Sequence, residues 1–252
     1  MEGTAVQRRL SPRPRPWQVA NVTDTVDETP AVRTIRLAVP DWPGHQAGQH
    51  LDVRLTAEDG YTAERSYSIA SAPNEPVAIT VERLDDGEVS PYLTEELRVG
   101  DQLELRGPVG GYFVWEPPGM APLLLVAGGS GVVPLRAIVR ERQRSGSDIP
   151  VRLLYSSRTL ADVIYRDELD SYSDGISVSY TLTRAQPPGW TGHAGRVNPA
   201  LLTEVAWPVH EQPVAYVCGP TSFVETVAEG LVGLGYPAGQ VKTERFGASG
   251  GR

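Results

Sequence analysis

Leu123-Leu124-Leu125-Val126-Ala127-Gly128-Gly129-Ser130-Gly131-Val132-Val133-Pro134-Leu135-Arg136-Ala137-Ile138-Val139 carries the fold in one line. The apolar run Leu123 to Ala127 has no polar alternation, so it reads as a strand covered on both faces. It is far too short to span a membrane. After the turn, Leu135, Ile138 and Val139 recur at helical spacing. Between strand and helix, small residues let backbone approach a phosphate closely, and free amides in the first helical turn favour negative charge. Pro134 falls early in the helix, where no N–H donor is needed. A pyrophosphate fits this loop. So does a turn that only makes room for packing, because a glycine loop alone is a weak signal.

Working downstream, the same alternation of buried strand and amphipathic helix continues: Val151–Tyr155, helix Val163–Tyr172, Ile176–Leu182, Val214–Cys218, helix Phe223–Leu234 and strand Gln240–Arg245. This predicts an α/β doubly wound parallel sheet. Upstream the pattern changes to short β-branched or alternating runs, Val32–Leu37, His50–Leu55, Glu64–Ile69, Val77–Val81 and Gln102–Arg106, punctuated by Gly, Pro, Asp and Asn. They predict an antiparallel β-barrel. Val89, Tyr92, Leu93 and Leu97 predict one helix that caps the barrel and stops at Gly100. The Pro- and Gly-rich stretch 115–122 marks the boundary, giving a barrel domain over 17–117 and an α/β domain over 118–252. Residues 1–16, with Arg8, Arg9, Arg13 and Arg15, read as a flexible basic arm.

The chain has 252 residues and a formal net charge of -8, which argues against nucleic acid as its main partner. Cys218 is its single cysteine, so an internal disulfide, a thiolate zinc site and an iron–sulfur cluster are excluded and any electron carrier must be organic. The four histidines are scattered without ligand spacing, so no metal is implied. With no apolar span and no signal core, a cytoplasmic, membrane-free monomer is expected.

A second motif, Arg65-Ser66-Tyr67-Ser68-Ile69-Ala70-Ser71-Ala72-Pro73, ends a barrel strand. Alternation puts Arg65 and Tyr67 on one face and Ser68 on the other unless the strand breaks. An arginine fork beside an aromatic ring suits a ligand with phosphates and a flat ring system. An edge arginine beside a core-rim tyrosine is the plainer alternative. A third motif, Gly87-Glu88-Val89-Ser90-Pro91-Tyr92-Leu93, opens the barrel's helix and offers a further anion site, or a helix merely capped by Ser90.

In order, Arg-x-Tyr-Ser, Gly-x-x-Ser, Gly107-Pro108-Val109-Gly110-Gly111-Tyr112-Phe113, Gly-Gly-Ser-Gly-x-x-Pro, Cys218-Gly219-Pro220-x-x-Phe223 and Glu244-Arg245-Phe246-Gly247 resemble the ferredoxin–NADP reductase family of flavin reductases, in a form without a fused iron–sulfur domain. The resemblance implies a FAD-dependent NAD(P)H oxidoreductase, FMN being the shorter alternative. It implies that Arg65 binds the flavin pyrophosphate with Ser66 beside it, that Tyr67 stacks on the isoalloxazine and that Ser68 lies near the flavin N5. It also places Glu82, Arg83, Gly87, Glu88, Val89 and Ser90 around the flavin's ribityl and phosphate groups. Gly129, Ser130, Gly131 and Pro134 would take the nicotinamide nucleotide's pyrophosphate. Cys218, Gly219 and Pro220 would lie beside the nicotinamide, with Ser68, Cys218 and Glu244 tuning the reaction and Phe246 covering a flavin face. Six residues follow Phe246, an extension that the plant-type members lack.

Arg158 and Arg184 follow two strands at positions that the resemblance matches to those gripping the 2′-phosphate in NADPH-using relatives, so NADPH is expected over NADH, with Asp162 as a neighbour that could neutralise Arg158. The expected reaction passes electrons from NADPH through FAD to a separate acceptor protein such as a ferredoxin or an oxygenase component. A reductase of a small acceptor (free flavin, quinone or ferric chelate) and a non-catalytic nucleotide-binding subunit are the alternatives. The basic arm suggests docking to an acidic acceptor.

Overall fold

The computed structural model describes residues 15–246. The basic arm therefore lies almost wholly outside the described residues, as does the extension beyond Phe246.

Strands β1 (Gln18–Thr29), β2 (Val32–Ala38), β3 (His50–Thr56), β4 (Thr62–Ser68), β5 (Val77–Glu82) and β6 (Gln102–Val109) form one antiparallel sheet in the order β4-β3-β6-β1-β2-β5. The sheet closes where the chain leaves β4: Ile69 bridges Ile79 of β5, and the Ala70 amide donates to the Ala78 carbonyl at 2.7 Å. Closure removes the open edges of an antiparallel sheet. Inward positions such as Ile35, Leu51, Ile79 and Leu105 fill the barrel.

The expected capping helix is only a wide π-type turn, Tyr92–Glu96, in which the Leu97 amide reaches back to the Tyr92 carbonyl. Its apolar spacing was read correctly, since Val89, Leu93 and Leu97 are buried in the barrel core. Ser90 does not cap it. The Ser90 hydroxyl accepts from the Leu84 amide at 3.0 Å and so closes the preceding loop. A turn this short adds little helix dipole at its start.

The second layer holds β7 (Leu123–Gly128), α1 (Val132–Arg144), β8 (Val151–Ser157), α2 (Arg166–Asp170), β9 (Ile176–Leu182), β10 (His193–Ala194), α3 (Pro199–Val205), β11 (Val214–Pro220), α4 (Thr221–Gly233) and β12 (Val241–Phe246). Its strands are parallel in the order β10-β9-β8-β7-β11-β12, with β7 fully buried at the centre. One face packs under α1 and α2, the other under α3 and α4. The expected helix over Val163–Tyr172 shrinks to α2, because Val163 is extended and Tyr165 takes a left-handed φ of 60° while both are buried. No described helix is long and apolar enough to cross a membrane.

Candidate active site

The glycine loop comes to rest at the carboxyl end of β7, where open α/β sheets bind ligands, and the Arg65–Ser68 motif forms the end of β4 in the barrel. The glycine loop leaves β7 through a single 3-10 turn, Gly129–Gly131, and enters α1 with no side-chain cap and no acidic residue in the first turn. Among the described residues no side chain accepts from its amides, which suits an anion there. Two glycines are indispensable in different ways. Gly129 has a left-handed φ of 56°, and a Cβ on Gly131 would stand 2.1 Å from the Cys218 carbonyl oxygen. Gly128 and Gly219 leave no room for a side chain because the Phe223 ring lies against both. Pro134 is buried in the first turn of α1.

On the barrel, Arg65 and Tyr67 share a face as alternation requires. Arg65 is half-exposed and pairs with Glu88 at 2.8 Å. The Tyr67 ring is half-buried against the barrel core, and burial pushes its hydroxyl pKa up, so the phenol stays neutral. Ser66 departs from the expected set, because the same alternation turns its hydroxyl to Asp52 at 2.6 Å on the opposite face. Arg83 is occupied by Asp85 at 3.0 Å and Glu95 at 2.6 Å. Glu82 looks across at the glycine loop, with its carboxylate 3.9 Å from where a Gly129 Cβ would be. Gly87 sits tight against Leu84 and the Ser90 hydroxyl, and Val89 is core.

Ser68 occupies the last rung of β4, paired with His50 of β3. The His50 Nδ1 lies 3.6 Å from one Glu244 oxygen, and the other Glu244 oxygen lies 4.0 Å from the Cys218 Sγ. Barrel and parallel sheet thus contribute to one cluster, Ser68, His50, Glu244 and Cys218. Burial, with Glu244 adding to it, pushes the Cys218 thiol well up, so it is a neutral packing group and no nucleophile. Phe246 is two residues beyond Glu244, paired with Pro220 and packed against the core.

At the far end of the sheet, Arg158 and Arg184 are exposed, and their backbones are joined by the Arg184 amide donating to the Arg158 carbonyl at 2.9 Å. Among the described residues neither has an ion-pair partner. The expected neutralisation by Asp162 does not occur, because that carboxylate accepts from the Thr159 amide at 3.0 Å and hydroxyl at 2.6 Å as a capping box. A third exposed cation, Arg196, follows β10, held near by the Thr181 hydroxyl donating to the Gly195 carbonyl at 2.7 Å. His50 and Arg196 were missed from the sequence. Arg196 became visible only once β10 was known to join the sheet.

Chemically, the two halves suit two nucleotides: an arginine fork with a ring face on the barrel, and an uncapped helix start with a row of cations on the parallel sheet. The residues present fit both groups. The family model for an oxidoreductase FAD-binding domain matches residues 20–114, and that for an oxidoreductase NAD-binding domain matches 125–229. A ferredoxin–NADP reductase B from Sorangium cellulosum is 37% identical over 80% of this chain and 85% of its own length. The chain belongs to the ferredoxin reductase family of FAD- and NAD-binding oxidoreductases. Another member, the glycine betaine monooxygenase reductase subunit of Chromohalobacter salexigens, is 33% identical over 80% of this chain, which spans only 56% of that relative. Among solved ferredoxin reductases, the one of carbazole 1,9a-dioxygenase superposes with a TM-score of 0.82 at 27% identity, covering 96% of this chain and 73% of that one. Family membership accounts for the barrel, the doubly wound sheet and the two nucleotide sites together.

Proposed function

We propose that the chain is an NADPH-dependent reductase that passes electrons to a separate acceptor protein. The flavin sits on residues 17–117 and the nicotinamide nucleotide on 118–252. The observation that carries this reading is the cluster in which Ser68 and His50 of the barrel meet Glu244 and Cys218 of the parallel sheet, which supports a junction where a flavin on one half and a nicotinamide on the other could meet. Bound FAD would supply the hydride acceptor and the ability to release electrons singly.

The chain's own residues bind and align. Arg65 grips phosphate, Tyr67 offers a flat face, and the free amides of the Gly129–Gly131 turn take the second pyrophosphate. Cys218 and Gly131 set the depth of the nicotinamide end, and Phe246 covers the ring. No general acid or base is needed for hydride transfer, so alignment is the main contribution. Arg158, Arg184 and Arg196 support NADPH over NADH, since a 2′-phosphate seeks cations and Asp162 is already engaged elsewhere. Relatives named as reductase subunits and reductase components of oxygenases support a protein acceptor. One copy supplies every residue of the cluster, so the reading needs no second copy, and a lone buried thiol suits a reducing cytoplasm.

The test is the visible spectrum of purified protein, followed anaerobically as NADPH or NADH is added. A flavin spectrum bleached faster by NADPH is the expected result. A protein that stays colourless when FAD is supplied refutes the reading. Rapid steady turnover of a ferric chelate or free flavin with no added protein would move the acceptor to a small molecule.

A further inference from the structure

Tyr61 stands just before β4, on the face that carries Arg65 and Tyr67. Contacts establish this: the Tyr61 hydroxyl donates to one Glu88 oxygen at 2.8 Å, and Arg65 donates to the other at 2.8 Å. Tyr67, Arg65, Glu88 and Tyr61 therefore form a continuous row of ring, cation, carboxylate and ring.

Nothing in the folding of the barrel calls for the last ring. Tyr61 is 57% exposed and takes no part in the barrel's apolar cluster. Yet it is held upright. Its amide donates to Asp59 at 2.9 Å, its carbonyl accepts from the Ala57 amide at 2.8 Å, and its hydroxyl is tied to Glu88. An exposed aromatic fixed at backbone and tip, with a free face, is a stacking platform.

Glu88 also fits poorly as a phosphate neighbour. Bonds from Tyr61 and Arg65 keep its carboxyl below the usual range and hence ionised, and an anion beside a diphosphate is repelled. Carboxylates instead accept well from the hydroxyls of a ribose. Arg65 gives one N–H to Glu88 and one to the Glu64 carbonyl, leaving the rest of its five-donor fork for phosphate.

We propose that Glu88 and Tyr61 form the subsite for the adenosine half of FAD, Glu88 accepting from the ribose hydroxyls and Tyr61 carrying the adenine, and that this pair makes the chain select FAD over FMN. The assignment rests on the flavin reading above and extends it, because FMN ends at its phosphate and touches neither residue.

The experiment uses holoprotein reconstituted with FAD or with FMN, the flavin still bound after ultrafiltration giving a Kd for each. Tyr61→Ala should raise the Kd for FAD about tenfold, the loss of one stacked base, and leave that for FMN unchanged. Tyr61→Phe, which keeps the ring, should retain most of the FAD affinity, and Glu88→Gln should weaken FAD selectively. Unchanged FAD affinity in Tyr61→Ala, or an equal fall for both flavins, would overturn the assignment while leaving the flavin reading intact. Failure of the unaltered protein to retain either flavin would overturn both.

Discussion

Gly131 and Cys218 touch backbone to backbone: a methyl group on Gly131 would lie 2.1 Å from the Cys218 carbonyl oxygen and 2.5 Å from its carbon. Neither neighbour is a side chain that could rotate away. Gly131→Ala must therefore displace the glycine loop or the end of β11. A loss of about 1–3 kcal/mol of stability, typical of overpacking, is expected together with a raised KM for the nicotinamide nucleotide. Thermal unfolding and steady-state kinetics check this. An unchanged Tm with an unchanged KM would show that the loop relaxes freely.

The cation row at the ends of β8, β9 and β10 gives a second prediction. Arg158→Ala combined with Arg184→Ala should lower kcat/KM for NADPH by on the order of tenfold per arginine, as expected for lost charged hydrogen bonds, and leave NADH nearly unchanged. Arg196→Ala added to the pair should deepen the NADPH loss alone. An equal fall with both nucleotides would refute a 2′-phosphate role for these residues.

A third prediction concerns the contact between the two sheets. The Arg136 side chain, almost fully buried, donates from Nε to Glu168 at 2.7 Å, reaches the Ala70 carbonyl at 3.4 Å, and lies 3.9 Å over the Tyr165 ring. Tyr165 in turn donates to Thr80 of β5. One guanidinium thus joins the helix behind the glycine loop to the segment just after Ser68. Arg136→Met should cost about 1.5–3 kcal/mol by removing the charged hydrogen bonds from Arg136 to Glu168, which keeps Arg140 at 2.7 Å. It should also split a single calorimetric transition into two. Retention of one transition would show that the sheets are coupled elsewhere.

Acid stability should fall in two stages. Trp42 donates to the His45 Nδ1 at 3.2 Å, so Nε2 carries the proton that faces the Ser71 carbonyl at 3.0 Å, and burial holds the ring pKa below 6.5. The unfolded chain takes up a proton near that value and the folded one resists it, so stability declines as pH drops below about 6.5. Burial alone would raise the pKa of Glu168, but Arg140 and Arg136 outweigh it and hold it at about 2 against an ordinary 4.5. That contribution is complete above pH 4.5 and is lost as pH falls toward 2. Urea midpoints across pH should show both stages. His45→Gln should abolish the first, and its persistence would assign that stage to another group.

How much of this was legible in the sequence follows from where the signals lie. The strand from Leu123 to Gly128 and its glycine turn are local features, and local sequence stated them fully. β1 went unrecognised, because its inward residues Ala20 and Val22 are set among Asn, Thr and Asp on a mostly exposed strand. α3 also escaped notice, although Asn198 accepting from the Leu201 amide and Pro199 in the first turn form a readable start signal. The helix expected from Val163 failed for a different reason. Val163 and Ile164 are apolar because they pack between α1 and the sheet, and that tertiary demand looks like helical periodicity over a short window. Residues within motifs were legible as candidates, whereas His50, Tyr61, Arg136 and Arg196 owe their places to pairing between distant segments.

Phe246 is still a rung of the parallel ladder, opposite Pro220. Its backbone is therefore anchored by the sheet, and uncovering whatever the ring protects needs only a turn about its side-chain bonds. Rotamer exchange of a partly exposed side chain runs on the picosecond to nanosecond scale, far faster than the microsecond to millisecond opening of a lid. On the proposed reading that Phe246 covers a flavin face, access to that face is expected to follow an equilibrium between ring positions and not a slow gate, so single-turnover traces should carry no lag before reduction.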